Sequence, residues 1–282
     1  MASRFWVGGT GTWDASDTTH WAATSGGAGG ASVPGSGDAV TFNGLSGGGT
    51  VTVSTTVTVQ SITCGAFTGT LDFSVNNNNV TTGVFDGSGS GARTIKLGNG
   101  TWTITNGGSS GFTLWNMATV TNLTFDAGQS TLDFTGVGGD DGVRIFAGGG
   151  LAYSSVRFRA QANGAGKSIT GANTFGNLTV DGLNVLQLAA NQTVTTLAIN
   201  GAPSAPVLVR SNSDSVSRTI SVASNAPIMT SCALRDITGA GGASFIANDS
   251  FDFGNNSGIT INPPGGGGGG AAQLVDSGAL VG

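Results

Sequence analysis

The sequence predicts an all-β chain: a right-handed parallel β-helix, or β-solenoid, with a Trp-rich N-terminal cap and an extended C-terminal arm. A β-sandwich or jelly roll is the competing architecture. Three observations carry the prediction. None of the 15 acidic residues is Glu, and only Lys96 and Lys167 are Lys, so the residues that usually coat solvent-facing helices are nearly missing. Gly accounts for 51 of 282 residues, against a usual share of roughly 7%. Around it run Thr and Val, which favour strands, and Ser and Asn, which favour corners. Finally, short segments recur: NLTFDAG at 122–128 as NLTVDG at 177–182, and TLDFS at 70–74 as TLDFT at 131–135. Their spacings look like multiples of a unit of roughly 20 to 30 residues whose length drifts, as stacked coils with variable corners require.

Residues 1–40 hold three of the five Trp (Trp6, Trp13 and Trp21) and the one His, His20. Three indoles carry enough apolar area to close the first coil of a stack, whose bare edge would otherwise recruit strands. Residues 41–262 alternate as strands do: Val51 with Val53, Val57 with Val59, Ile95 with Leu97, Trp102 with Ile104. Asn-Gly and Asp-Gly pairs, such as those at Asn99 and Asp181, mark the corners between them. The tract Asn76 to Asn79 is either part of an asparagine ladder between coils or an exposed loop. Residues 263–282 open with Pro263-Pro264, continue through six glycines and carry Leu274, Val275, Leu280 and Val281. Those four residues suit an arm that adds as a strand to a neighbouring subunit.

The opening stretch has a recognisable pattern: Trp6-Val-Gly-Gly-Thr-Gly-Thr-Trp13-Asp14, His20-Trp21, Val33-Pro34 and Asp38-Ala-Val-Thr-Phe42, followed by TVTV strands. It resembles the start of Trp-rich-capped β-solenoid proteins of tailed bacteriophage virions and bacterial surface adhesins. The specific likeness covers about the first 60 residues. His20 stands where Asn is usual in that pattern. The resemblance implies a fold and a setting, with no catalytic set attached. No charged segment followed by an apolar run opens the chain, as a secretion signal would, and no stretch approaches the ~18 apolar residues of a membrane helix. An adhesin-like build without an export route points to a virion component assembled in the host cytoplasm and released by lysis.

Composition narrows the chemistry. A net charge of -5 with scattered Arg lacks the basic stripe that nucleic-acid binding needs. Cys64 and Cys232 sit in apolar strand-like settings and read as buried free thiols, and one His without a CxxC motif supplies no zinc site. The segment from Gly164 to Ser168 lacks the first glycine of a phosphate-binding loop, because Gln161 occupies that position. Asp140-Asp141-Gly142 is a single copy of a motif that calcium-binding β-rolls repeat many times. Asp72, Asp126, Asp133 and Asp181 are the carboxyls from which a glycosidase pair would have to come. Trp102, Trp115 and Tyr153 are too dispersed in sequence to make a sugar platform.

The resulting expectation is a non-enzymatic structural protein without cofactor or metal, serving as capsid decoration or as part of a tail fibre or spike. Its expected partners are copies of itself, with a homotrimer the natural form, and other virion proteins such as the major capsid or tail proteins. A host surface glycan stays open as a further contact; nucleic acid and membrane do not. The alternatives are a tailspike polysaccharide depolymerase and a bacterial surface adhesin.

Overall fold

Alternation of Thr with aliphatic or aromatic residues turns one set of side chains inward and the other outward along every strand. The structure, a computed structural model that describes residues 2–136, 142–159, 166–182 and 185–265, winds these strands into a parallel β-helix. No helix occurs among the described residues.

The first face begins at Ser3–Trp6 and Ala39–Thr41 and climbs through Thr113–Asn116, Val143–Ala147, Gly166–Thr170, Val185–Leu188 and Val207–Ser211 to Cys232–Arg235 and Phe251–Asp252. The second climbs through Thr101–Ile104, Thr131–Phe134, Ala152–Phe158, Thr174–Asp181 and Gln192–Asn200. Above that it divides, one branch ending at Ile237–Gly241 and the other at Ile259–Ile261. Val57–Thr63 and Val80–Asp86 are long enough to serve both faces. Their bend passes Gly83, where a Cβ would collide with the Gln60 carbonyl. A third face stacks Gly11–Trp13, Thr50–Val53, Thr70–Asp72, Arg93–Lys96 and Leu123–Asp126.

These ladders are all parallel. Among the described residues, antiparallel pairing is confined to Ser3–Trp6 against Trp21–Ala22 and a bridge between Ala202 and Ala205. A sandwich or jelly roll, whose neighbouring strands run antiparallel, is thereby set aside.

The core is a set of vertical columns. Val40, Ile62, Phe85, Trp115, Phe146, Ile169 and Leu188 lie one above another, all sealed from solvent. So do Ile104, Phe134, Phe158, Val180, Ile199, Met229 and Ala247 on the second face. The aromatic residues that look dispersed in sequence meet here: Phe85 stacks on Trp115 at 4.4 Å and lies edge-on to Trp102 at 5.4 Å. Inward positions on successive coils are neighbours however long the intervening corner. Trp115 Nε1 donates to the Tyr153 hydroxyl and that hydroxyl to the Gly148 carbonyl, whereas the buried Trp21 Nε1 has no hydrogen-bond partner among the described residues.

The recurring segments turn out not to stack. Thr70–Asp72 lies on the third face and Thr131–Phe134 on the second; Leu123–Asp126 and the second-face strand Thr174–Asp181 are likewise apart. They mark strand-plus-corner units, and the coil repeat is set separately. The coil length also drifts more than 20 to 30 residues: the step from Trp13 to Val53 is twice that from Val51 to Leu71, and the step from Ile246 to Thr260 is shorter still.

Candidate functional site

The amino end is an aromatic plug. Trp6 stacks face to face on His20 at 4.6 Å and meets Trp21 edge-on at 5.2 Å, while Trp13 meets Trp21 at 5.1 Å. His20 Nδ1 lies 2.8 Å from the Val7 carbonyl. The glycines of the Trp6–Trp13 segment follow from this ring: a Cβ on Gly11 would collide with the His20 imidazole, and one on Gly8 would press on it. Among the described residues no carboxylate bonds His20; its partners are an indole face and a carbonyl, so it packs into the cap.

Corners are closed by short polar side chains bonding two residues ahead. Asp72 accepts from the Ser74 amide and hydroxyl, Asp126 from the Gly128 amide, and Asp252 from the Gly254 amide. Glu, one methylene longer, does not form this turn, which gives the acidic composition a physical reason. The Asn tract works between coils: Asn77 Oδ1 accepts from the Asn99 amide, Asn79 Oδ1 from the Thr101 amide, and Asn99 Oδ1 from the Gln129 amide. It is a ladder of side chain to main chain, in place of one amide on the next.

The four Asp that a glycosidase would draw upon do not share a face. Asp72 and Asp126 stand on the third face with Lys96 between them in register, and Lys96 Nζ lies 2.9 Å from Asp72. Burial pulls the Asp72 carboxyl upward, but the Ser74 hydroxyl and the Lys96 ammonium outweigh it and hold the group below its ordinary range. On the second face Arg159 chelates Asp133 at 2.6 to 3.0 Å, and Arg157 bonds Asp181 at 2.7 Å. Each carboxylate is therefore tied to a cation or closed into a corner.

The burial of three cations was not legible in the sequence. Arg93, 3% exposed, donates to the carbonyls of Gly87, Gly91, Thr119 and Thr121. Arg144 does the same for Gly107, Gly108 and Gly142. Lys167 lies directly above Arg144 in register and is 1% exposed, with no hydrogen-bond partner at Nζ; burial first, then the Arg144 charge, pushes its ammonium down to about 8. Lys167 stands inside a strand, Gly166–Thr170, with no helix directly after it, while Gln161 and Gly164 of the phosphate-loop candidate lie outside the described residues. Residues 137–141, with Asp140 and Asp141, lie outside the described residues, as do Leu274, Val275, Leu280 and Val281 of the arm. Elsewhere, no three His, Cys, Asp or Glu gather as metal ligands among the described residues. Cys64 and Cys232 are free and buried, and burial pushes both thiols up to about 12.

Comparison of the chain with protein-family models, curated proteins and solved structures returns no match. The surface itself is left to speak. Along the third face Thr50, Thr70, Thr94 and Thr124 stand one above another beside Gly49 and Gly69, lining an open trough of about 450 Å³ with Thr10, Arg93 and Asn122. Its described lining holds hydroxyls, main chain, Arg93 and the Asn122 amide, with no carboxylate and no aromatic ring. Such a trough can hydrogen-bond a polar chain.

Proposed function

We propose that this chain is a structural protein of the outer surface of a tailed bacteriophage particle, either capsid decoration or part of a tail fibre or spike. The observation that carries the reading is the combination of a stiff parallel β-helix with an outer surface of short hydroxyl, amide and ion-paired side chains. Stacked parallel strands bond along the full length of the rod, so the body resists bending and leaves few free polar groups. The Trp6, Trp13, Trp21 opening pattern supports the setting. A low surface charge favours self-association, and the proposed assembly is a homotrimer bound to the major capsid or tail proteins. The threonine trough is the place where a host surface glycan would lie. A polysaccharide-cleaving role is the weaker reading, because Asp72, Asp133 and Asp181 are each tied to a cation.

Immunogold labelling of purified virions tests this reading. Label on heads or tails is the expected result; virions free of label would refute it. Incubation with host capsular polysaccharide should release no new reducing ends, and their release would favour the depolymerase.

A further inference from the structure

The two ends of the rod are built differently. At the amino end the reversed strand Trp21–Ala22 lies along the outer edge of Ser3–Trp6, and the three Trp are at most 1% exposed. At the carboxyl end the inward columns lose their cover. Phe245 and Ala247 are sealed, but Ile259 and Ile261, stacked directly above them, are only half-buried. Around the rim Ile246, Phe251 and Phe253 are 42%, 36% and 40% exposed. Ile259–Ile261 pairs with Phe245–Ala247 along one edge and with no strand along the other among the described residues. An open edge ringed by apolar side chains is a template for one more strand.

We propose that this end is closed by the chain's own segment 271–282, which pairs with the free edge of Ile259–Ile261 and brings Leu274, Val275, Leu280 and Val281 onto the uncovered isoleucines and the Phe251 rim. Pro263 and Pro264 cannot donate to a ladder, so the main chain must leave the stack there before it can return. Gly265 to Gly270 provide the return. Six such residues reach about 20 Å extended and about 14 Å as a flexible coil, comparable to the ~15 Å width of a face. The tether gives the segment an effective concentration in the millimolar range at its own rod end, above that of any separate copy in dilute solution. The composition of the segment fits a covering strand, since Asp276 is the one charged side chain in 271–282 and one member of each apolar pair would face inward. Sequence alone points this arm at a neighbouring subunit; the uncovered end of its own rod is nearer.

Hydrogen exchange read by mass spectrometry tests the proposal on three purified proteins: the full chain, a chain ending at Gly270, and the full-length Leu280→Asp variant. The amides of Ile259–Ile261 should exchange about tenfold more slowly in the full chain than in either variant. Equal rates in all three overturn the proposal. Leu280→Asp lies outside the stack, so an unchanged exchange pattern at Phe85 and Trp115 shows that the rod is folded. A photo-crosslinking residue at position 280, in a mixture of 15N-labelled and unlabelled chains, identifies the acceptor. Crosslinks within one chain to residues 245–261 are expected; crosslinks only between chains, or none, overturn the assignment. Both measurements are independent of where the protein resides, so their failure is distinct from failure of the virion reading.

Discussion

Arg93 shows how a single residue holds this fold together. Its guanidinium donates to four main-chain carbonyls from two adjoining corners, and no shorter side chain reaches them. Arg93→Ala should cost about 2 to 3 kcal/mol in urea unfolding, because the buried Gly87 carbonyl loses both of its charge-assisted hydrogen bonds. Arg93→Lys should recover less than half of that, since an ammonium lacks the fork; a neutral Arg93→Ala would contradict the assignment. Lys167 is the opposite case, a buried ammonium without a hydrogen bond beside the Arg144 cation. Its folded pKa is depressed from 10.5 to about 8, so the unfolded chain binds the proton more tightly and stability rises as the pH climbs between those values. Lys167→Met should remove that rise and stabilise the protein at pH 7 by on the order of 3 kcal/mol. Thermal unfolding at pH 7 and pH 10 reads both effects, and a Met variant with the same pH slope as the parent would show the account to be wrong.

Among elements, the corners and the cap carry the specific chemistry. The Gly35 amide, opposed by slight burial, holds Asp38 below the usual carboxylate range; the Asp17 and Ser16 amides do the same for Asp14, and the Ser74 hydroxyl and Lys96 overcome burial at Asp72. A depressed carboxyl contributes stability that is complete above its unfolded value of 3.8 and is lost as the pH falls through the folded one. The unfolding temperature should therefore hold steady from neutrality down to about pH 5 and drop below about pH 4. A drop that began near pH 6 would implicate another group. In the cap, Trp13 touches Trp21, Phe42 and Phe73. Trp13→Ala should cost about 3 to 5 kcal/mol by denaturant titration, and Gly11→Ala should destabilise by displacing His20 from Trp6.

At the scale of the molecule, a stack in which each coil touches only its neighbours unfolds according to where its cover is thinnest. The amino end is sealed by indoles and the carboxyl end presents half-buried isoleucines. Cys64 and Cys232 report on the two regions, because each thiol is buried and held protonated until its coil opens. Maleimide labelling in increasing urea should reach Cys232 at a lower concentration than Cys64. Identical midpoints would mean that the rod unfolds as one cooperative unit.

Much of this architecture was written locally. The lack of Glu, the Thr–Val alternation and the Asn and Asp corners determine an all-β chain whose strands present one apolar side, because propensity and period act on neighbouring residues. The gathering of Trp6, Trp13, Trp21 and His20 is likewise visible along the chain, though the stacking of His20 on Trp6 is not. Tertiary structure alone decided which strand lies on which. Coil lengths vary so widely that Thr131–Phe134 rests on Thr101–Ile104 and never meets its sequence twin Thr70–Asp72. It also decided the fate of the charges, setting Lys96 between Asp72 and Asp126 and burying Arg93 among carbonyls. Register is a contact between residues distant in the chain, and no local pattern records it.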